Sequence, residues 1–241
     1  MLMPTLDTKI LNRIQVIPEN QNWNDLRIFD PRTGPIVLSF LNAHAFNIAW
    51  TNSEFFTDLH ASDYILRDGI GIKLFMLLFG YSPGQNMNGT DLIPFILKKE
   101  VCTVGLYGTS APELEAASKR INDFGCTVVT ALDGFRDKND YLSDALLFRP
   151  AIIVLAMGMP KQEHVSALLK SRIDWPCLII NGGAILDFLA GRVKRAPLIV
   201  RRFGCEWIYR LLLEPQRLWK RYILGNFLFI FRILYIRAVK K

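Results

Sequence analysis

Five short runs, at residues 36–41, 101–107, 127–131, 151–157 and 177–181, are apolar almost throughout rather than at alternate positions. Strands of that kind are covered on both faces, which in a globular chain means a parallel sheet. Segments 112–124, 140–148 and 161–171 carry helical patterns between them. Thr109 or Ser110 can cap the first, and Pro112 suits its opening turn. This alternation predicts an α/β fold with a mostly parallel sheet and right-handed crossovers. With 241 residues, the chain holds one such domain and a short appendage.

The charge is unevenly placed. Residues 201–241 hold ten Lys and Arg against two acids, Glu206 and Glu214, giving +8 of the net +7; the first 200 residues carry −1. The division expected is therefore an α/β catalytic domain at 1–200 and a basic amphipathic helical appendage at 201–241. A mean hydropathy of +0.20 is high for a chain with 21% charged residues, and it raises membrane contact as a use for the appendage. Its most apolar stretch, 222–236, is about 15 residues long and is interrupted by Gly225, Asn226 and Arg232. A spanning helix needs roughly 20 apolar residues, so the expectation is helices lying on an anionic membrane surface. The competing use is packing against the body or a second copy, giving a homo-oligomer. Nucleic acid fits poorly, because the cations are interleaved with bulky aliphatics. Residues 1–7 lack a signal-peptide pattern, and four cysteines without a CxxC pair suit a reduced compartment.

Ligands of open parallel sheets bind at the C-terminal ends of strands. Several polar clusters fall there: Asn42 and His44; Asp68-Gly69-Ile70-Gly71; Gly105 to Ser110; Gly158 to Glu163; and Asn181-Gly182-Gly183-Ala184. Three are glycine-bearing turns that open a helix, where free N–H groups attract anions. Together they favour a nucleotide-type ligand. No turn has the P-loop pattern or a full dinucleotide fingerprint, which disfavours an NTPase and a dinucleotide-dependent oxidoreductase. Three histidines without HExxH spacing disfavour zinc, and no Asp-x-Asp pair is present, so no metal or other cofactor is expected. Asp68 is the best candidate base; helix capping is its ordinary alternative. Lys161 and Gln162 either meet a phosphate or sugar hydroxyl or are exposed first-turn residues. His44 and His60 read as structural or exposed.

In chain order, the segments Asp68 to Gly71, Asn88-Gly89-Thr90-Asp91-Leu92, Gly158-Met159-Pro160-Lys161-Gln162-Glu163, Asn181 to Ala184 with Asp187 to Gly191, Arg192 to Pro197, and Gly204 to Arg210 followed by Glu214 to Arg217 and Arg221-Tyr222 resemble the WecG/TagA/CpsF glycosyltransferase family. The resemblance runs from about residue 36 to 226. It implies a Rossmann-like α/β domain with a C-terminal membrane-docking appendage. It implies an inverting transfer from a UDP-sugar to a polyprenyl-diphosphate-linked glycan acceptor, at the inner face of a bacterial plasma membrane, in surface polysaccharide synthesis. By the same resemblance the catalytic group is Asp68, Asn42 and Gln162. Substrate contacts fall to Gly71, Asn88, Thr90, Asp91, Gly105, Gly108, Thr109, Gly158, Pro160, Lys161, Asn181, Gly182, Gly183, Asp187 and Arg195. Arg210, Arg217, Lys220 and Arg221 are the appendage cations expected to reach the leaving group or the lipid. Phe40 stands where the family commonly has Thr, and Asn86 where it commonly has Arg. Those departures point to a hexose donor, as in the exopolysaccharide GumM-like branch, rather than N-acetylmannosamine. The rival function is a nucleotide-sugar-binding protein at the membrane that transfers nothing.

Overall fold

The computed structural model describes residues 10–26, 33–99 and 101–239. Six strands form one sheet, every pairing parallel: β1 (Pro35–Leu41), β2 (Tyr64–Arg67), β3 (Thr103–Gly108), β4 (Thr127–Leu132), β5 (Ile152–Ala156) and β6 (Cys177–Asn181). Their order is β2-β1-β6-β5-β3-β4. Every residue of β5 and β6 is buried, whereas edge strand β4 is only partly covered. That is why the central strands read as unbroken apolar runs. Successive side chains still divide between the faces: Leu38, Val154 and Ile180 join one core, and Val37, Ile153 and Ile179 another.

The helices are α1 (Ala43–Thr51), α2 (Ser53–His60), α3 (Gly69–Leu78), α4 (Gly89–Lys99), α5 (Ala111–Asn122), α6 (Lys138–Phe148), α7 (Lys161–Arg172) and α8 (Ile185–Leu189). The first four occupy stretches where the sequence suggested only turns and polar clusters. Gly69 and Gly71 make the start of α3 look like a loop. Gly71 is instead required by packing, since a Cβ there would meet Ala43 Cβ at 3.2 Å and the Phe229 ring at 3.4 Å.

The connection after β3 leads outward to β4, while that after β5 leads back toward β6. A crevice opens between such divergent connections at the C-terminal ends of the strands. Backbones close tightly at its floor: a Cβ on Gly108 would lie 2.4 Å from the Ala156 carbonyl.

The tail continues as α9 (Leu198–Arg202), α10 (Glu206–Leu213), α11 (Pro215–Trp219), a π-helical turn at Lys220–Leu224, and α12 (Gly225–Val239). Here the structure departs from the sequence expectation. Gly225 keeps helical dihedrals, φ −63° and ψ −40°, and Asn47 Nδ2 donates to its carbonyl at 2.6 Å. The interruption expected at Gly225 and Asn226 is absent, and Pro215–Val239 is one continuous helix of 25 residues. Its length and composition suffice to cross a membrane. One face of it is nevertheless committed to the body. Phe229, Ile233 and Ile236 are buried with Phe46 and Phe75, and each contributes about 2 kcal/mol of apolar burial. Arg232 Nη1 also donates to Asn47 Oδ1 at 2.7 Å. The opposite face leaves Phe227, Phe231 and Leu234 exposed at i, i+4 and i+7. The tail thus packs on the body with one stripe and presents a second apolar stripe outward.

Candidate active site

Two cavities open at the C-terminal edge of the sheet. The larger, about 510 Å³, is mostly apolar and runs beneath the tail between α3, α10 and α12, past Leu74, Trp207, Tyr222, Phe227 and Ile230. The smaller, about 390 Å³, is more polar and is bounded by the turns after β3, β5 and β6: Thr109, Ser110, Gly158, Asn181, Gly182 and Gly183. Asn42, His44, Asp68, Thr90, Phe188, Arg210 and Arg221 line both. Asp68 therefore stands where the two meet.

Asp68 occupies the N-cap position of α3 but makes no capping bond. Asn86 Oδ1 takes that role, accepting from Gly69 N–H at 2.7 Å. Arg67, itself buried, fixes the adjoining backbone by donating to Pro83 O at 2.9 Å and Gly84 O at 2.8 Å. The capping alternative for Asp68 is thus filled by a neighbour, and its carboxylate stays available. Asn42 caps α1 with its Oδ1, at 3.0 Å from Ala45 N, and offers Nδ2 to Asp68 Oδ2 at 3.3 Å. Burial raises the Asp68 pKa above its ordinary value, against the Asn42 hydrogen bond and the charges of Arg221, Arg67 and Arg210. A carboxylate held this way is a better base than one in water.

Arg210 and Arg221 reach this point from the tail. Their Nε atoms are buried and, among the described residues, meet no hydrogen-bond acceptor. Two guanidiniums with buried Nε atoms, set close to Asp68, offer a site for an anion. Arg221 feels this arrangement: burial lowers its pKa, and Arg210 adds to the effect. Guanidinium titrates so high that it stays charged. Arg217 also lines the polar cavity, although it pairs with Glu214. Lys220 is exposed, with its ammonium over the Trp219 ring, and lines neither cavity.

The other sequence-level candidates separate into two groups. Gly71, Asn88, Thr90, Thr109, Gly158, Asn181, Gly182, Gly183, Asp187 and Gln162 line one or both cavities. Gly105, Gly108, Pro160, Lys161, Asp91 and Arg195 line neither. Gly105 lies inside β3, where a Cβ would press on Pro150 at 3.1 Å. Asp91 and Arg195 are held by each other at 2.5 Å, joined by Asn88 Nδ2 at 2.9 Å and Arg201 at 3.5 Å. Burial raises the Asp91 pKa, but the Arg195 and Asn88 hydrogen bonds prevail and leave it lowered. This knot fastens the start of the tail to α4. Gln162 is 0% exposed as a residue. It accepts from Gly183 N at 3.0 Å and donates to Glu163 at 2.8 Å, so it sets the turn after β6. Burial pushes Glu163 up to about 8, which keeps the pair largely neutral at pH 7.

His44, which the sequence suggested was structural or exposed, instead lines both cavities. Burial and then the Arg221 charge push it down to about 4, so it faces a ligand as neutral imidazole. Its sequence signal was its place two residues after Asn42. His164 hydrogen-bonds Asp58 and ties α7 to α2.

The family model described as the glycosyl transferase WecG/TagA/CpsF family matches residues 10–241. Three relatives share the name N-acetylglucosaminyldiphosphoundecaprenol N-acetyl-beta-D-mannosaminyltransferase. That of Bacillus spizizenii is 32% identical over 180 residues, covering 72% of this chain and 69% of the relative. That of Bacillus subtilis strain 168 is 26% identical, covering 90% and 87%. That of Staphylococcus aureus strain NCTC 8325 is 27% identical, covering 88% and 80%.

Proposed function

The chain belongs to the WecG/TagA/CpsF family of glycosyltransferases, and we propose that it transfers a sugar, with inversion, from a UDP-sugar to a polyprenyl-diphosphate-linked glycan in surface polysaccharide synthesis. The observation that carries this reading is the position of Asp68 where a polar and an apolar cavity meet, beside two arginines whose Nε atoms are buried.

In this reaction the nucleotide diphosphate lies in the polar cavity bounded by the turns after β3, β5 and β6. The lipid-linked acceptor approaches through the apolar cavity. Asp68 takes the proton of the acceptor hydroxyl as that oxygen bonds to the anomeric carbon. The bond to the phosphate oxygen breaks on the opposite face, so an α-linked donor gives a β-linked product. UDP leaves with added negative charge, which Arg210 and Arg221 stabilise. Asn42 holds the base in position, and Gln162 fixes the Gly183 N–H.

The relatives' names make N-acetylmannosamine one donor to test. A hexose is the alternative that Phe40 and Asn86 suggest. Phe40 lines the polar cavity, against Gly89, and would fill space that a Thr leaves open. The test is UDP release from a panel of UDP-hexoses and UDP-N-acetylhexosamines with a polyprenyl-diphosphate-linked acceptor, with and without EDTA. Release that requires one donor and the lipid acceptor supports the transferase. Binding of UDP-sugars without such release favours the non-catalytic binder.

The exposed stripe of α12 supports docking on the inner leaflet, with the apolar cavity opening toward the lipid. Phe231→Ser and Leu234→Ser together are expected to weaken sedimentation with phosphatidylglycerol vesicles at least tenfold. Each lost apolar side chain removes about 1.5–3 kcal/mol of transfer free energy when fully immersed. The melting temperature should stay unchanged, because these side chains face outward. Unchanged vesicle binding would return this stripe to contact between copies of the chain.

A further inference from the structure

Two thiols meet at the end of the sheet opposite the candidate active site. Cys102 directly precedes β3 and Cys126 directly precedes β4. The turn that delivers Cys126 passes through Gly125, whose φ of +94° suits glycine, and Gly125 N donates to Asn122 O at 2.9 Å. Thr127 N then donates to Cys102 O at 2.9 Å, and Thr103 stands opposite Thr127 in the parallel register. The two cysteines are therefore next to each other across the ladder. Their Sγ atoms lie 3.4 Å apart. Cys126 is buried in the core and donates to Leu97 O at 2.9 Å, whereas Cys102 is half-buried and within reach of solvent. Neighbouring strands lie about 4.8 Å apart, inside the roughly 4.4–6.8 Å between Cα atoms that a disulfide spans. Closing the bond needs only about 1.4 Å of approach between the sulfurs, which small side-chain rotations supply.

We propose that Cys102 and Cys126 are an oxidation site, a dithiol that a low-molecular-weight disulfide converts into a covalent staple between β3 and β4. The half-buried Cys102, as thiolate, attacks one sulfur of the small disulfide and releases its first thiol. Cys126, losing its proton, then attacks Cys102 Sγ, forms the new S–S bond and expels the second thiol. The two protein sulfurs are oxidised and the two sulfurs of the reagent are reduced. The staple closes a loop of about 25 residues that holds β3 and α5. Its place has a use, because β4 is the partly covered edge strand and pairs with β3 alone. Asp68 and both cavities lie at the other ends of the strands, so the staple acts on the endurance of the fold. The proposal does not rest on the transferase reading.

The test oxidises the full chain in detergent with excess oxidised glutathione, alkylates it and digests it with trypsin without reduction. Cleavage after Lys99, Lys119, Arg120 and Arg136 gives peptides 100–119 and 121–136, each holding one of the two cysteines. They are expected as one linked species, absent from Cys102→Ser, while the thiol titre of the denatured chain falls from four to two. The melting temperature should rise by about 5–10 °C on oxidation, return with dithiothreitol, and show no such rise in Cys102→Ser. Glutathione retained on Cys102 without a link to Cys126 would overturn the proposal. So would a link that forms only in urea, or a link that leaves the melting temperature where it was. The wild type alone carries these readouts, so a variant that fails to fold does not blunt them.

Discussion

Asp68→Asn lowers acceptor-dependent UDP release by about 10²–10⁴-fold, the contribution of a positioned general base. UDP binding should stay within a few-fold, because the amide keeps the shape of the carboxylate. The pH dependence carries the sign of the environment. Burial raises the Asp68 pKa above 3.8, and only the deprotonated form accepts a proton. Turnover should therefore rise with pH along an acidic limb displaced upward from 3.8. That limb should disappear in Asp68→Asn. His44 is pushed down to about 4, and the loss of the limb in Asp68→Asn separates the carboxylate from that imidazole. Near-wild-type turnover in Asp68→Asn would mean another base acts.

Arg210→Gln and Arg221→Gln are each expected to lower kcat by about 10²–10³-fold, the usual cost of removing one preorganised group that meets developing charge. The buried, unpartnered Nε atoms make these two the leading pair, ahead of Arg217, which is neutralised by Glu214, and exposed Lys220. The double variant should fall short of the product of the single effects, since both meet the same diphosphate. UDP should raise the wild-type melting temperature and do so less in either variant. Full turnover on a short-chain acceptor, with loss only of vesicle binding, would reassign both arginines to the lipid.

Much of the sheet was legible because burial on both faces leaves a blunt signal. β6 lies at the expected residues, and the other strands foreseen from apolar runs shift by at most two residues at either end. Edge strand β2 appeared only as a short apolar run before Asp68. Helices α1 to α4 were hidden for a different reason. α1 and α3 pack on the tail and on each other, so little polar face marks their period, while α2 is only eight residues long and α4 carries an internal Pro94. The site was legible where chemistry sits at strand ends, as at Asn42, Asp68 and the turn after β6. It was not legible where geometry decides. Nothing local says that Asn86 caps α3 in place of Asp68, that Asp91 and Arg195 neutralise each other, or that Lys161 turns away from the cavity.

The two cavities that meet at Asp68 lie in different places, one at the strand ends and one beneath the tail, which on the proposed reaction has a consequence for traffic. If the proposed assignment holds, the donor and the spent nucleotide use the cavity at the strand ends, while the acceptor and the lengthened lipid use the one beneath the tail. Neither product needs to clear the other's route. In steady-state kinetics, UDP should then compete with the nucleotide sugar but not with the lipid. The glycolipid can slide back into the bilayer while the nucleotide is still diffusing away.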